Sequence, residues 1–256
     1  MTMENKNKIS VVINTYNAEQ HLEKCLQAVK DFDEVVVCDM ESTDSTVSIA
    51  QRYGCRVVTF PKNGHTCCEP ARQTAIDSAS YPWVLVVDAD ELITPELRNL
   101  LYRLIQEDNV AEGYYIPRKN MFMCMYVRDF HDDYILRFFR RDLTEWPPII
   151  HVVPTIKGRV EKLPTEKNAY MLHLMDETMH EYMDKMNHYT DNEVEKKKDK
   201  HYGVWALLWR PFWRFFKKYF MDGSFRMGKR GLIRSMMAAC YQFVLISKIM
   251  EKQYRD

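Results

Sequence analysis

Residues 83–91 read WVLVVDADE (Trp83–Glu91). An unbroken apolar run is followed at once by three carboxylates, Asp88, Asp90 and Glu91. A short continuous apolar run bounded by polar residues reads as a strand buried on both faces. Three similar runs precede it: ISVVI (Ile9–Ile13), EVVVC (Glu34–Cys38) and RVVTF (Arg56–Phe60). Helical stretches lie between them. Glu19–Val29 places Leu22, Leu26 and Val29 on one face. Thr43–Tyr53 opens in STDST, whose side chains can cap free N–H groups. Glu69–Ser78 is the third. Pro95–Glu107 follows the acidic strand, with Pro95 at a first-turn position that tolerates it. This alternation predicts an α/β fold, a mostly parallel sheet flanked by helices. Ligands bind such sheets beyond the carboxyl ends of the strands. Asn14–Asn17, Asp39, Asp88 and Asp90 all fall there.

The later sequence has a different character. GYYIP, YILRFF, HVVPTI and AYMLHL are short and mixed, as expected of strands and loops completing the sheet. From Glu177 the chain is helical and amphipathic. We therefore expect a catalytic domain over 1–176 and a helical C-terminal extension over 177–256. EVEKKKDK (Glu193–Lys200) reads as a solvated charge run.

Composition narrows the function. The 256 residues carry 36 Lys+Arg and 36 Asp+Glu, a formal net charge of zero, so charge gives no argument for nucleic-acid binding. Seven scattered cysteines contain no C-x-x-C pair, which disfavours a zinc site or disulfide framework and fits a reducing compartment. No signal-peptide pattern is expected at MTMENKNKIS. The longest candidate for a membrane span, between Arg234 and Lys248, is too short and is interrupted by Gln242.

The carboxylates at the strand ends repel one another unless a cation joins them or one is protonated. Arg72, on the helix feeding the acidic strand, could meet a phosphate. FHDDYILRFFRRD (Phe130–Asp142) sets Asp132 and Asp133 before a strand-like run. Either carboxylate could take a proton from a hydroxyl, and their adjacency could raise a pKa, although neighbours on an extended segment point to opposite faces. Glu91 reads as a first-turn helix acid. Asp39 has a simple helix cap as its alternative role.

Together ISVVINTYN, DEVVVCDMESTDST, WVLVVDADE, GYYIPRKN, DYILRFFRR, GRVEKL, LHL and the basic tail resemble a known family. The chain is similar to family-2 glycosyltransferases of GT-A fold, and within them to the small lipopolysaccharide-core glucosyltransferases. The resemblance covers nearly the whole chain. It implies an inverting, metal-dependent transferase that moves a sugar, such as glucose, from a UDP-sugar to a glycolipid or saccharide acceptor. It implies Thr15 and Tyr16 against the nucleotide base, and Asp39 accepting the uracil N–H. Arg72 would approach the phosphates and Asp88 the ribose and metal. Asp90 would ligate Mn²⁺ or Mg²⁺, with His173 as a further candidate ligand. Asp133 is the implied base, with Arg137 paired to it or to a phosphate. His151 also falls at a family-like position, but Val152 stands where relatives often carry an acid.

VWALLWRPFWRFFKKYF (Val204–Phe220) mixes aromatic and basic residues, a composition suited to the bilayer interface. We expect a cytoplasmic protein held peripherally on the inner face of the plasma membrane through anionic lipid. The alternative use of this segment is a helical hairpin that packs on the catalytic domain or forms a homodimer through the C-terminal helices. Two other functions compete with glycosyl transfer. A nucleotidyltransferase usually presents a glycine-rich loop after its first strand, and NTYNAEQ has no glycine. A catalytically silent membrane-bound assembly partner would not need Asp88 and Asp90.

Overall fold

The acidic run is strand β4 (Trp83–Asp88), and its four central residues Val84–Val87 are fully buried. It lies beside β1 (Ile9–Thr15), which pairs in parallel with both β4 and β2 (Glu34–Asp39). Strand β3 (Arg56–Thr59) continues the parallel sheet beyond β2. This computed structural model describes residues 7–65, 67–129, 133–148, 153–164, 166–174, 178–197 and 200–255.

Side-chain alternation divides the core into two layers. Val11, Ile13, Val37, Leu85 and Val87 face one layer, with helices α1 (Glu19–Val29), α2 (Thr46–Arg52) and α4 (Pro95–Leu104). Val12, Val36, Cys38, Val84 and Val86 face the other, with α3 (Glu69–Ser78). Both faces are covered, which explains why these strands are apolar throughout. Helix α1 buries Leu22, Cys25, Leu26 and Val29, the stripe its periodicity predicts. Thr94 caps α4, its hydroxyl accepting from the Leu97 N–H at 3.3 Å.

Helix α2 starts three residues later than STDST implies. Asp44 accepts the Thr46 N–H at 2.9 Å, so the side chain folds the preceding residues into a turn. Helix α4 stops at Leu104, short of Glu107.

The remaining strands are β5 (Glu91–Ile93), β6 (Gly113–Phe122), β7 (Met125–Tyr126), β8 (Asp133–Arg140), β9 (Thr144–Glu145), β10 (Thr155–Ile156), β11 (Val160–Lys162) and β12 (Met171–His173). Among the described residues the main sheet runs β3-β2-β1-β4-β8-β6-β12-β5. Strand β8 is antiparallel to both β4 and β6. The sheet order reverses between β2 and β4 on either side of β1. That switch point opens a crevice at the carboxyl ends of β1 and β4.

The chain forms two compact units, Met1–Lys119 with Asp133–Leu174, and Asn120–Asp132 with Met175–Asp256. The second contains helices α5 (Met179–Lys196), α6 (Val204–Phe216) and α7 (Lys229–Arg255). Helix α7 is longer than its apolar run suggests, because Arg234 and Lys248 are neutralised within this unit. Asp129 accepts from Arg234 at 2.6 Å and Lys218 at 2.8 Å, and Asp191 accepts from Lys248 at 2.6 Å.

Burial works against ionisation of Asp129, but the hydrogen bonds from Arg234 and Lys218 outweigh it and hold its carboxyl below the usual range. Its stabilisation is therefore present above the unfolded carboxylate pKa of about 3.9 and is lost as pH falls through the folded value. Asp129→Ala leaves Arg234 without a carboxylate and Lys218 with Asp222 alone, and should cost on the order of 3 kcal/mol. Thermal melts across pH should show this gap near neutrality and its closure in acid.

Gly231 reverses an ordinary expectation. Alanine normally stabilises a helix over glycine by about 1 kcal/mol. A Cβ on Gly231 would lie 1.8 Å from the Ser224 carbonyl oxygen. Gly231→Ala should therefore destabilise by about 1–3 kcal/mol through overpacking, measurable as a lowered melting temperature.

Candidate active site

Strand register assembles the site. Thr15 lies opposite Asp39, and Asn14 lies between Cys38 and Asp88. Three adjacent strand ends thus present their polar residues along one edge.

At one end Asp39 is almost fully buried. Its carboxylate accepts from the Thr15 hydroxyl at 2.8 Å, the Ser42 hydroxyl at 2.6 Å and the Ser42 N–H at 2.9 Å. Two of these bonds fall on Oδ1 and one on Oδ2, leaving Oδ2 a lone pair for another donor. Asp39 is not a helix cap, since the residue preceding α2 is Ser45. Tyr16 is exposed beside it, and the Lys62 ammonium sits 3.3 Å from its ring centroid.

At the other end Asp88 is clamped by two arginines. Arg72 donates to Oδ1 at 2.8 Å and Arg137 to Oδ2 at 2.7 Å. Burial opposes ionisation of Asp88, yet Arg137 and then Arg72 hold its carboxyl far below the ordinary carboxylate range. Both guanidiniums lie over the Trp146 ring, at 5.1 Å for Arg72 and 5.5 Å for Arg137. Arg72 Nε and Nη1 and Arg137 Nη1 are buried with no hydrogen-bond acceptor. Unmet donors in a buried place mark room for an anionic partner.

Asp90 lies just past the end of β4 and is half-exposed. The β12–β5 ladder brings His173 opposite Glu91, and His173 Nε2 is 3.2 Å from Asp90 Oδ2. Burial lowers the histidine's affinity for a proton, but Asp90 overrides this and raises its pKa.

Glu91 departs from its expected helical role. It opens β5, is fully buried and accepts the Asp88 N–H at 2.9 Å. Burial and the neighbouring Asp88 charge push its carboxyl upward. The first-turn acid of α4 is Glu96.

Asp133 also has a different partner from the expected one. It lies opposite Arg118 in the β6–β8 ladder, and Arg118 donates to it at 2.8 and 3.0 Å. The same guanidinium reaches Glu91 at 3.3 Å. Arg137 is four residues along β8, about 13 Å at the strand rise, and it reaches Asp88 instead. Asp132 and His151 lie outside the described residues.

Sequence reasoning missed Arg118 and Trp146. Arg118 stands in the family-like GYYIPRKN stretch but was given no role, and both residues enter the site through pairing between distant segments. The tryptophan in TEWPP (Thr144–Pro148) was the available signal, since a large ring beside two arginines can orient both.

The sequence matches Glycosyl transferase family 2 over residues 10–163. The chain belongs to this family. This family-2 glycosyltransferase is 28% identical to the lipopolysaccharide core biosynthesis glycosyltransferase LpsC of Rhizobium meliloti (strain 1021), over 95% of this chain and 92% of that protein. It is 25% identical to an uncharacterized glycosyltransferase of Rickettsia typhi, over 95% of this chain and 87% of that one. The crystal structure of S. aureus TarS 1–349 shares its fold, with a TM-score of 0.51, 16% identity and coverage of 97% and 91%. The glycosyltransferase thus has its family's α/β sheet with added C-terminal helices.

Proposed function

We propose that this family-2 glycosyltransferase is an inverting, metal-dependent enzyme that moves a hexose, glucose in the first instance, from a UDP-sugar to a glycolipid acceptor of the lipopolysaccharide-core type. One observation carries the reading: Asp90 with His173, and the open N–H groups of Arg72 and Arg137, stand together at the switch point of the sheet. The similarity to LpsC, a lipopolysaccharide core biosynthesis glycosyltransferase, supports the acceptor class. The transferase would act at the cytoplasmic face of the plasma membrane, where a soluble nucleotide sugar and a lipid-linked acceptor meet.

In this reading the base lies against Thr15 and Tyr16, and Asp39 uses its remaining lone pair to accept the uracil N–H. Arg72 and Arg137 turn their unmet donors to the diphosphate. Among the described residues no group of three or more His, Cys, Asp or Glu side chains converges on a cation position. A small oxygen-seeking ion does not need one, because it takes most ligands from phosphate and water. Asp90 with His173 therefore suffices as the protein's share, while Asp88 stands behind it holding Arg72 and Arg137. A bound Mn²⁺ or Mg²⁺ would neutralise charge on the departing diphosphate. Asp133 takes the proton from the acceptor hydroxyl as the new C–O bond forms opposite the breaking bond to UDP. Arg118 holds that carboxylate in position.

Calorimetry with UDP, with and without Mn²⁺, tests the donor site, and a screen of UDP-sugars for donor hydrolysis identifies the sugar. We expect metal-dependent UDP binding and turnover of one hexose donor. Absence of metal-dependent UDP binding would remove the reading and favour a silent assembly partner.

A further inference from the structure

Helix α6 has no buried residue. At 3.6 residues per turn, its side chains sort into three arcs. Leu207, Pro211 and Phe215 form a partly covered arc, and helix α7 packs on α6. Trp205, Leu208, Trp209, Phe212, Trp213 and Phe216 form a broad exposed arc, with Trp205 at 82% and Trp209 at 61% exposure. Phe220 extends it through the π turn Lys217–Met221. The third arc is cationic and exposed: Arg210, Arg214 and Lys217. The rings stack on one another along the open face, Trp209 on Trp213 at 6.3 Å and Trp213 on Phe216 at 5.9 Å. Such a surface in water is a docking site.

Charge selects the occupant. Between His201 and Met250 there is one acid, Asp222, against nine Lys or Arg. That acid is already paired with Lys218 at 3.2 Å. The whole chain is neutral, so this concentration of cations is local. A second copy of the chain fits poorly, because a symmetric contact would set Arg210, Arg214 and Lys217 against the same cations. A bilayer carrying anionic headgroups fits both arcs at once: indole and phenyl rings enter the interfacial layer while the flanking cations meet phosphates.

The competing arrangement is a span. Among the described residues α7 alone is long and apolar enough to cross a membrane. Spanning would strip it from its partners. Arg234 is bound to Asp129, and Lys248 donates to Asn187, Thr190 and Asp191. Leu245 and Ile249 pack with Val194 of α5.

We propose that α6 lies flat in the surface of an anionic bilayer, its Trp205–Phe220 face immersed, while α7 serves as its water-side support. This surface would give the glycolipid acceptor of the proposed function a place to be met, and it requires nothing of the catalytic chemistry.

The test uses the full chain and vesicles containing neither donor nor acceptor. Co-sedimentation is measured on phosphatidylcholine vesicles with and without phosphatidylglycerol, at low and high salt. Binding should require phosphatidylglycerol, weaken with salt and shift tryptophan emission to the blue. Trp209→Glu/Phe212→Glu should lower partitioning by about tenfold or more, because it places charge in the immersed face. Arg214→Glu/Lys217→Glu should lower it by about thirtyfold or more on anionic vesicles, through loss of two cations near the surface. Both pairs are exposed, and far-UV circular dichroism checks that the variants fold. Equal binding to neutral vesicles, or none to anionic ones, overturns the proposal. So does a concentration-dependent dimer that Trp209→Glu dissociates while vesicles are ignored. Resistance to alkaline carbonate extraction would assign a span instead. UDP-sugar hydrolysis measured without vesicles reads the catalytic proposal separately, so either can fail alone.

Discussion

Asp90→Ala should abolish sugar transfer and leave the protein folded. The side chain is 38% exposed and bonds His173 at 3.2 Å. Removing it costs the sheet little. If this carboxylate holds the cation against the diphosphate, its loss forfeits several kcal/mol of leaving-group stabilisation, which is roughly a thousandfold in rate or more. Initial rates with the UDP-sugar at saturating Mn²⁺, beside a thermal melt, make the comparison. A near-normal rate with an unchanged melt would discard the metal mechanism. A lowered melt would show instead that Asp90 and His173 brace the β12–β5 ladder.

Asp133→Asn should lower kcat by roughly 10²–10⁴, the range for a positioned general base, with UDP affinity unchanged. The amide keeps the shape of the carboxylate and can still accept from Arg118, but it cannot carry off the acceptor proton. The split between kcat and donor binding separates this role from a structural one. Loss of the Arg118 bridge would disturb Glu91 too, and with it the Asp88 N–H that Glu91 accepts. Near-normal turnover in the Asn variant would place the base elsewhere.

Several features needed no tertiary structure. The four parallel strands are continuous apolar runs because both their faces are covered, and α1 and α3 have the bounds their periodicity predicts. Alternation of strands and helices then forces Thr15, Asp39 and Asp88 to one sheet edge. Family membership was equally readable, since its motifs lie in these local segments. The start of α2 was less so. Its capping-competent residues serve several acceptors, and Asp44 turns the chain before the helix begins.

The partner of each charge was beyond local reading. Glu91 follows Asp90 by one residue, yet one is fully buried in a strand and the other is partly exposed. Arg137 looked toward Asp133 in sequence, but strand rise separates them and the register of β8 against β6 supplies Arg118 instead. Trp146 joins Arg72 and Arg137 only because the chain returns across α3 after β8.

By itself the sequence determined where the four parallel strands lie and which residues reach the sheet edge, because these follow from short-range periodicity, and its motifs showed which family the chain joins. Tertiary structure decided which carboxylate meets which cation, and that the aromatic face of α6 stays open. Those outcomes depend on strand register and helix packing, which bring together groups separated by dozens of residues.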